Sequence, residues 1–364
     1  MRRLLQKLFK KQIIRLTAKY SSRPDQNRVN KALSSLFVKI TDKGSDRGIV
    51  LPFDAAKQKF IILSDQHKGA RDGADDFALA EKNYLAALTY YYKNHFHYIN
   101  LGDSEELWEN TFMTVKKHNK DTFEHEGLFA ASGAFTKIFG NHDLYWDNSP
   151  FAQLSLREIY GRSVKIYEGL VLQTTVKNKQ LQIYLTHGHQ GDLQSDGNWF
   201  SKWFVATIWG PVQGYLRINP NTPANNNQLK TDHNRMMYEW SESRDNLLLI
   251  TGHTHQPVFK SLTHLEKLYT LLDGAKMAGN EVLVKDLQHQ ITERHFKGDK
   301  VLEYKDLNYK PCYFNSGCCC FDDGDITGIE IEDGHIRLIR WKYGLHKIPK
   351  RTVLDECRLE ELVG

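Results

Sequence analysis

No apolar run in the chain reaches the roughly 18 residues of a membrane-crossing helix, so no spanning segment is expected. The first 20 residues also lack the unbroken apolar stretch of a secretory signal. Cysteine is scarce: Cys312, Cys318, Cys319, Cys320 and Cys357 are five in 364 residues. An odd number with three adjacent does not read as a disulfide framework. Adjacent cysteines in a strand face alternate sides, so the three do not easily ligate one ion. They are expected to be small buried hydrophobes in a reducing, cytoplasmic setting. A basic body is missing as well. Residues 1–20 hold seven Lys/Arg and no acid, while the rest holds 42 bases against 44 acids, a net of −2. The excess of +5 is therefore local, and nucleic acid is not expected as a partner.

In that basic start, Leu4, Leu5, Leu8, Phe9, Ile13 and Leu16 share one helical face, with Arg2, Lys7, Lys11 and Arg15 largely elsewhere. A basic amphipathic helix of this kind fits an anionic membrane surface. A docking helix, a frayed tail and an organellar transit peptide are the alternatives. We set residues 1–45 apart as an N-terminal extension and treat 46–364 as one domain. Apolar content of 40% is enough for a packed core.

Short apolar runs recur, each followed by polar residues: KFIIL (59–63), HYINL (97–101), FTKIF (135–139), LQIYL (181–185) and NLLLI (246–250). Such runs read as buried strands. Residues 75–95 carry helical periodicity, and strand–helix–strand argues for a layered α/β fold. Two β-rich runs around KNK (177–179) predict a hairpin, as does DITGIEIEDGHIRLIRW (325–341), with Asp333–Gly334 at its turn. Helical insertions are expected at about 190–245 and about 263–310. The first contains NWFSKWFVATIWGP, with Trp199, Phe200, Trp203, Phe204, Thr207 and Ile208 at helical spacing. Residues 219–227, NPNTPANNN, read as a loop.

The five strand ends carry Asp65 and His67; Asp103; Asn141 and His142; His187 and His189; and His253 and His255. Loops at the carboxyl ends of parallel strands converge on one crevice. Mixed Asp, Asn and His suit divalent Mn, Fe, Zn or related ions. So many donors exceed one tetrahedral site and fit two ions sharing a carboxylate, an arrangement that serves in-line displacement at phosphorus.

These motifs resemble those of the calcineurin-like metallophosphoesterases: D65-Q-H67, G102-D103-S-E-E106, G140-N141-H142-D143, H187 and G252-H253-T-H255, within about residues 59–341. The resemblance implies a four-layer α/β/β/α sandwich of two mixed sheets. It implies two divalent ions, with Mn first and Fe, Zn, Ni or Mg as alternatives. Asp65, His67 and His255 would hold one; Asn141, His187 and His253 the other; Asp103 would bridge them. His142 would protonate the leaving oxygen, and Glu106 would orient it and favour its imidazolium form. Asn141 would also touch a phosphate oxygen. Of the two histidines in THGH, His187 is the chosen ligand, with His189 nearer the substrate or behind the ligands. Arg71 is a candidate phosphate contact, a plain surface role being the alternative.

GDSEELW also resembles the G-D-x-x-E-x-W of UDP-2,3-diacylglucosamine pyrophosphohydrolases, through Glu106 and Trp108. That implies a lipid or nucleotide-linked substrate, with Trp199–Trp209 as a lid touching acyl chains or else packing on the body. The expectation is a phosphoesterase in which a metal-bridging hydroxide attacks a phosphodiester or pyrophosphate in line, peripheral to a membrane. Phosphomonoesterase, nuclease and non-catalytic metal-binding scaffold are the alternatives. The neutral body counts against the nuclease. The full set of candidate ligands counts against the scaffold.

Overall fold

The computed structural model describes residues 25–42, 45–72, 75–191, 227–296 and 309–364. The basic helix at 1–20 and the Trp199–Trp209 segment lie outside the described residues, as does most of the 219–227 loop.

Two seven-stranded sheets stack face to face. One contains β1 (Gly48–Pro52), β6 (Gly169–Val176), β7 (Lys179–Thr186), β8 (Leu247–Thr251), β9 (Val258–Phe259), β10 (Leu262–Thr263) and β11 (Tyr313–Asn315). Its order is β1-β6-β7-β8-β11-β9-β10. The other contains β2 (Phe60–Leu63), β3 (His97–Leu101), β4 (Phe135–Ile138), β5 (Ile166–Tyr167), β12 (Ile326–Glu332), β13 (His335–Tyr343) and β14 (Pro349–Arg358). Its order is β14-β13-β12-β2-β3-β4-β5. Strands β2 to β5 are parallel, as are β7, β8 and β11, while the remaining pairings make both sheets mixed.

The expected strands are these strands to within a residue or two, because each apolar run is buried on both faces. Ile62, Ile99, Leu101 and Ile138 of one sheet meet Leu170, Leu172, Ile183, Leu185, Ile250 and Phe314 of the other. Each such side chain contributes roughly 1.5–3 kcal/mol on burial. Both expected hairpins close through two-residue turns with positive φ at both positions. Lys177 (48°) and Asn178 (61°) close β6–β7, and Asp333 (50°) and Gly334 (71°) close β12–β13. This turn type matches the strand twist.

Helices cover both outer faces. On one side α1 (Gln26–Thr41) begins at Asp25, whose side chain accepts from Arg28 N at 3.0 Å. Its Val29, Leu33, Leu36 and Ile40 form one stripe against Val171 and Tyr184, beside Met237 and Trp240 of a later helix (Asn227–Glu242). Residues 26–41, drawn with the N-terminal extension on sequence grounds, thus pack into an outer layer. On the opposite side α2 (Glu81–Lys93) buries Tyr84, Ala87, Leu88 and Tyr91 against Ile61, Leu63 and Tyr98. The architecture is the four-layer α/β/β/α sandwich.

Helices α3 (Phe112–His118), α4 (Lys120–Ser132), α5 (Tyr145–Asn148) and α6 (Ala152–Tyr160) extend the α2 side, followed by α7 (Asn227–Glu242) on the α1 side. The second expected insertion is a helical hairpin, α8 (His264–Met277) and α9 (Glu281–Phe296). It has a small core of its own, Leu265, Leu268, Leu272, Leu287 and Ile291. Among the described residues no helix is long and apolar enough to cross a membrane.

Candidate metal centre

Every motif read from the sequence follows a strand of the parallel portions: β2, β3 and β4 in one sheet, β7 and β8 in the other. The backbone ladders run on past the strand ends. Asp65 N donates to Gly102 O and His67 N to Asp103 O at 3.0 Å each, and Gly252 N donates to His187 O at 2.9 Å. The chain then turns sharply. Asp65 (54°), His67 (50°), Asp103 (49°), His253 (69°) and His255 (54°) all adopt positive φ. That is uncommon for residues with a Cβ and costs on the order of 1–3 kcal/mol each. Such conformations persist where the surroundings impose them, and here they turn the side chains into one crevice. Gly140 and Gly252 allow the loops to close up: a Cβ at Gly140 would overlap Asp103, and one at Gly252 would overlap Asp65 and Ser64.

The crevice holds two groups of donor atoms. In one, His67 Nε2 and His255 Nε2 are 3.2 Å apart, and His255 Nε2 is 3.2 Å from Asp65 Oδ1. In the other, His187 Nε2 approaches Asp103 Oδ2 at 3.1 Å, and the His253 ring lies 5.2 Å from that of His187. Asp103 lies between the groups, 3.8 Å from His67 Nε2. It clusters with His67 and His142 on one side and with His187 and His253 on the other. Both aspartates are fixed by main-chain donors, Asp65 by His253 N at 3.0 Å and Asp103 by His142 N at 2.8 Å.

The donor set fits a cation. His67 directs Nδ1 at Glu106 Oε2 (3.0 Å) and His187 directs Nδ1 at the Leu101 carbonyl (2.9 Å). Those acceptors leave Nε2 lone pairs facing carboxylates, an arrangement that repels unless positive charge sits between. Asn141 Oδ1 is buried with no hydrogen-bond partner among the described residues. In place of an ion the same carboxylates draw protons: burial opposes charge on His67 and His187, yet Glu106 and Asp103 around His67, and Asp103 and Asp65 around His187, raise both to about 9, and a bound cation would displace those protons. Burial opposes the Asp103 charge too, but His187 and His142 hold its carboxyl well below the usual range. Burial lowers His253 and His255, so they stay neutral and able to ligate.

Next to this cluster, His142 Nδ1 lies 2.6 Å from Glu106 Oε2, the oxygen that also meets His67. The indole of Trp108 stacks on the His142 ring at 4.2 Å and 21°. His189 is buried beside His187, the two rings 5.4 Å apart, and its ring lies 6.1 Å from that of Phe139. Asp65, His67, Asp103, Glu106, Asn141, His142, His187, His189, His253 and His255 thus line or adjoin one crevice. Arg71 is directed elsewhere. Its own φ of 56° turns the chain, and the guanidinium binds Glu81, Asn119 Oδ1 (2.9 Å) and the His118 carbonyl (3.2 Å).

Sequence reading missed the residues that brace the crevice. Glu105 and Glu126 are fully buried with Lys68 and Lys137. Lys68 Nζ lies 2.6 Å from Glu126 and 3.1 Å from Glu105, and Lys137 Nζ lies 3.0 Å from Glu105. Trp146, Tyr84 and Tyr160 complete the carboxylates' hydrogen bonds. Asp143 ties two loops, accepting from Ser104 N (2.9 Å) and Gly140 N (2.5 Å). On α7, His233 Nε2 reaches Gly188 O at 2.7 Å and its ring lies 5.2 Å from His253; Asn234 accepts from Thr254 (3.1 Å) and Tyr313 (2.8 Å). Only Asn315, the last residue of β11, which donates to Gly252 O at 2.7 Å, had a signal of its own, a polar residue closing a further apolar run.

The family model for calcineurin-like phosphoesterase matches residues 58–257. No curated protein matches the chain significantly. Among solved structures, a single mutant of Vps29 from Entamoeba histolytica is similar at 11% identity and TM-score 0.33, over 82% of this chain and all of the other. A 5'-nucleotidase-type protein from Staphylococcus aureus, solved with alpha-ketoglutarate, is similar at 10% identity and TM-score 0.29, over 83% of this chain and 54% of the other.

Proposed function

The chain belongs to the calcineurin-like phosphoesterase family, and from that premise we propose that it hydrolyses a phosphodiester or pyrophosphate bond with two divalent ions in the crevice. The observation that carries the reading is Asp103, shared by two clusters of histidine donors with His142 alongside. In this reading Asp65, His67 and His255 hold the first ion, Asn141, His187 and His253 the second, and Asp103 both. Manganese is the first choice among ions that accept oxygen and imidazole donors together. The ions, when bound, supply an activated water and neutralise charge on the phosphoryl oxygens of an in-line displacement.

The chain's own residues do the rest. His142 engages Glu106 through Nδ1, which leaves Nε2 to carry the proton for the leaving oxygen. The Glu106 carboxylate favours the imidazolium that must donate, and the stacked face of Trp108 supports the same cation. Asn141 offers its amide to a phosphoryl oxygen, and His189 flanks the substrate beyond the second ion. We further propose a membrane-associated or nucleotide-linked substrate, met at a membrane's cytoplasmic surface through the basic N-terminal helix and Trp199–Trp209.

Metal analysis with a chromogenic phosphodiester assay tests the core of this reading. The protein should carry about two ions per chain. Substitution His142→Ala should keep them and lose roughly 10²–10⁴ in rate. Loss of metal with unchanged turnover would reverse the assigned roles.

A further inference from the structure

Cys318, Cys319 and Cys320 follow β11, and main-chain bonds pin them along the first motif. Cys319 N reaches both Ser64 O and Asp65 O at 3.1 Å, and Ser64 Oγ reaches Gly317 O at 3.3 Å. Alternation sends the Cys319 side chain the other way, into the core among Ile61, Leu63 and Ile326 beneath α2. Cys320 lies on the crevice side. Its Sγ is 3.7 Å from His255 Nδ1, within hydrogen-bond range for sulfur, and His67, His255 and Cys320 cluster with donor atoms within 4.8 Å of one another.

We propose that Cys320 is a positioning residue of the first metal position: its sulfur accepts the Nδ1–H of His255 and so presents Nε2 to the ion. This rests on the functional reading above. The geometry distinguishes it from a ligand. The nitrogen facing sulfur is Nδ1, while Nε2, on the other edge of the ring, faces His67 Nε2 and Asp65 Oδ1 at 3.2 Å each. The pattern is shared with two other histidines of the crevice. His67 gives Nδ1 to Glu106 and His187 gives it to Leu101 O, each leaving Nε2 for the ion. His255 differs in having a thiol as its acceptor.

The test is a metal titration of chelator-stripped protein with Mn²⁺ or Zn²⁺ against a competing chromophoric chelator, which requires no turnover. Cys320→Val keeps the volume and removes the acceptor. It should weaken one of the two equivalents roughly 10–100-fold, the usual effect of losing a ligand's outer partner. Cys320→Ser restores an acceptor and should recover affinity to within a few fold. Cys319→Val, in the core, should leave both equivalents unchanged. Thermal melts of the stripped variants check that each is folded, and the serine variant alone still decides if the valine variant is not: a tenfold loss there would contradict the acceptor role. Wild-type affinity in folded Cys320→Val would overturn the proposal. So would a sulfur-to-cobalt charge-transfer band in the Co²⁺ protein that vanishes in Cys320→Ser, which would make the sulfur a ligand. Wild-type protein that binds no ion would overturn the functional reading itself, a result distinct from either.

Discussion

Substitution Glu106→Gln separates two duties that the geometry assigns to a single oxygen. Glu106 Oε2 meets His142 Nδ1 at 2.6 Å and His67 Nδ1 at 3.0 Å. Burial works against the carboxylate charge, but His142 and His67 outweigh it and lower the group to about 2, so it is ionised at any working pH. Glutamine keeps the shape and an acceptor oxygen and removes the charge. A hydrogen bond to a charged group is worth about 1.5–3 kcal/mol. That support holds His142 protonated and oriented for donation, so its loss should lower kcat roughly 10- to 150-fold at saturating Mn²⁺. The same change weakens the partner of His67, so affinity for the first ion should fall about tenfold or more. The fraction of imidazolium also drops, and the alkaline limb of the pH–rate profile should move to lower pH. A chromogenic phosphodiester assay across pH, with metal titration of the stripped protein, measures all three. A variant that loses rate while binding both ions as tightly as wild type would refute the shared role of Oε2. One that keeps rate and affinity within twofold would refute both.

Two further expectations concern the scaffold. Lys137→Ala leaves Glu105 buried with a cation removed, and breaking a fully buried pair costs about 3–5 kcal/mol; a denaturant midpoint shift worth under about 1 kcal/mol would contradict the network's role. His97, hydrogen-bonded to Thr136 Oγ1 at 2.8 Å, is pulled down to about 4 by burial, against 6.5 when unfolded. Between those values the unfolded chain holds a proton that the folded chain refuses, so stability falls as pH drops through that window, by up to about 3 kcal/mol. In urea unfolding, His97→Gln should flatten the loss between pH 7 and pH 4.5; an unchanged slope would remove His97 as its source.

The unequal legibility of this molecule in its sequence has a physical cause. Asp65, Asp103, Asn141, His187 and His253 announced themselves because a strand buried on both faces is an unbroken apolar run, and a polar residue closing it marks a crevice edge. That signal is local, and it found five strand ends. The residues that orient the ligands carry no local signal. Lys68 and Lys137 belong to no ligand motif, yet both are fully buried, and their partners Glu126 and Glu105 lie 58 and 32 residues away. His233 and Asn234 belong to a stretch that reads as an insertion, and only the packing of α7 against β8 and β11 brings them to the histidine loops. Arg71 is a different case: its nearness to the first motif points to phosphate or to a plain surface role, and in the fold its guanidinium pairs with Glu81. Spacing therefore reveals which groups can bind an ion, since ligand chemistry restricts residue type. The outer partner of each imidazole need only be an acceptor within reach of Nδ1, and in this protein a carboxylate, a carbonyl and a thiol fill that place in turn. A requirement that three such different groups satisfy leaves no motif to read, and it is there that substitutions should alter metal affinity without touching a ligand.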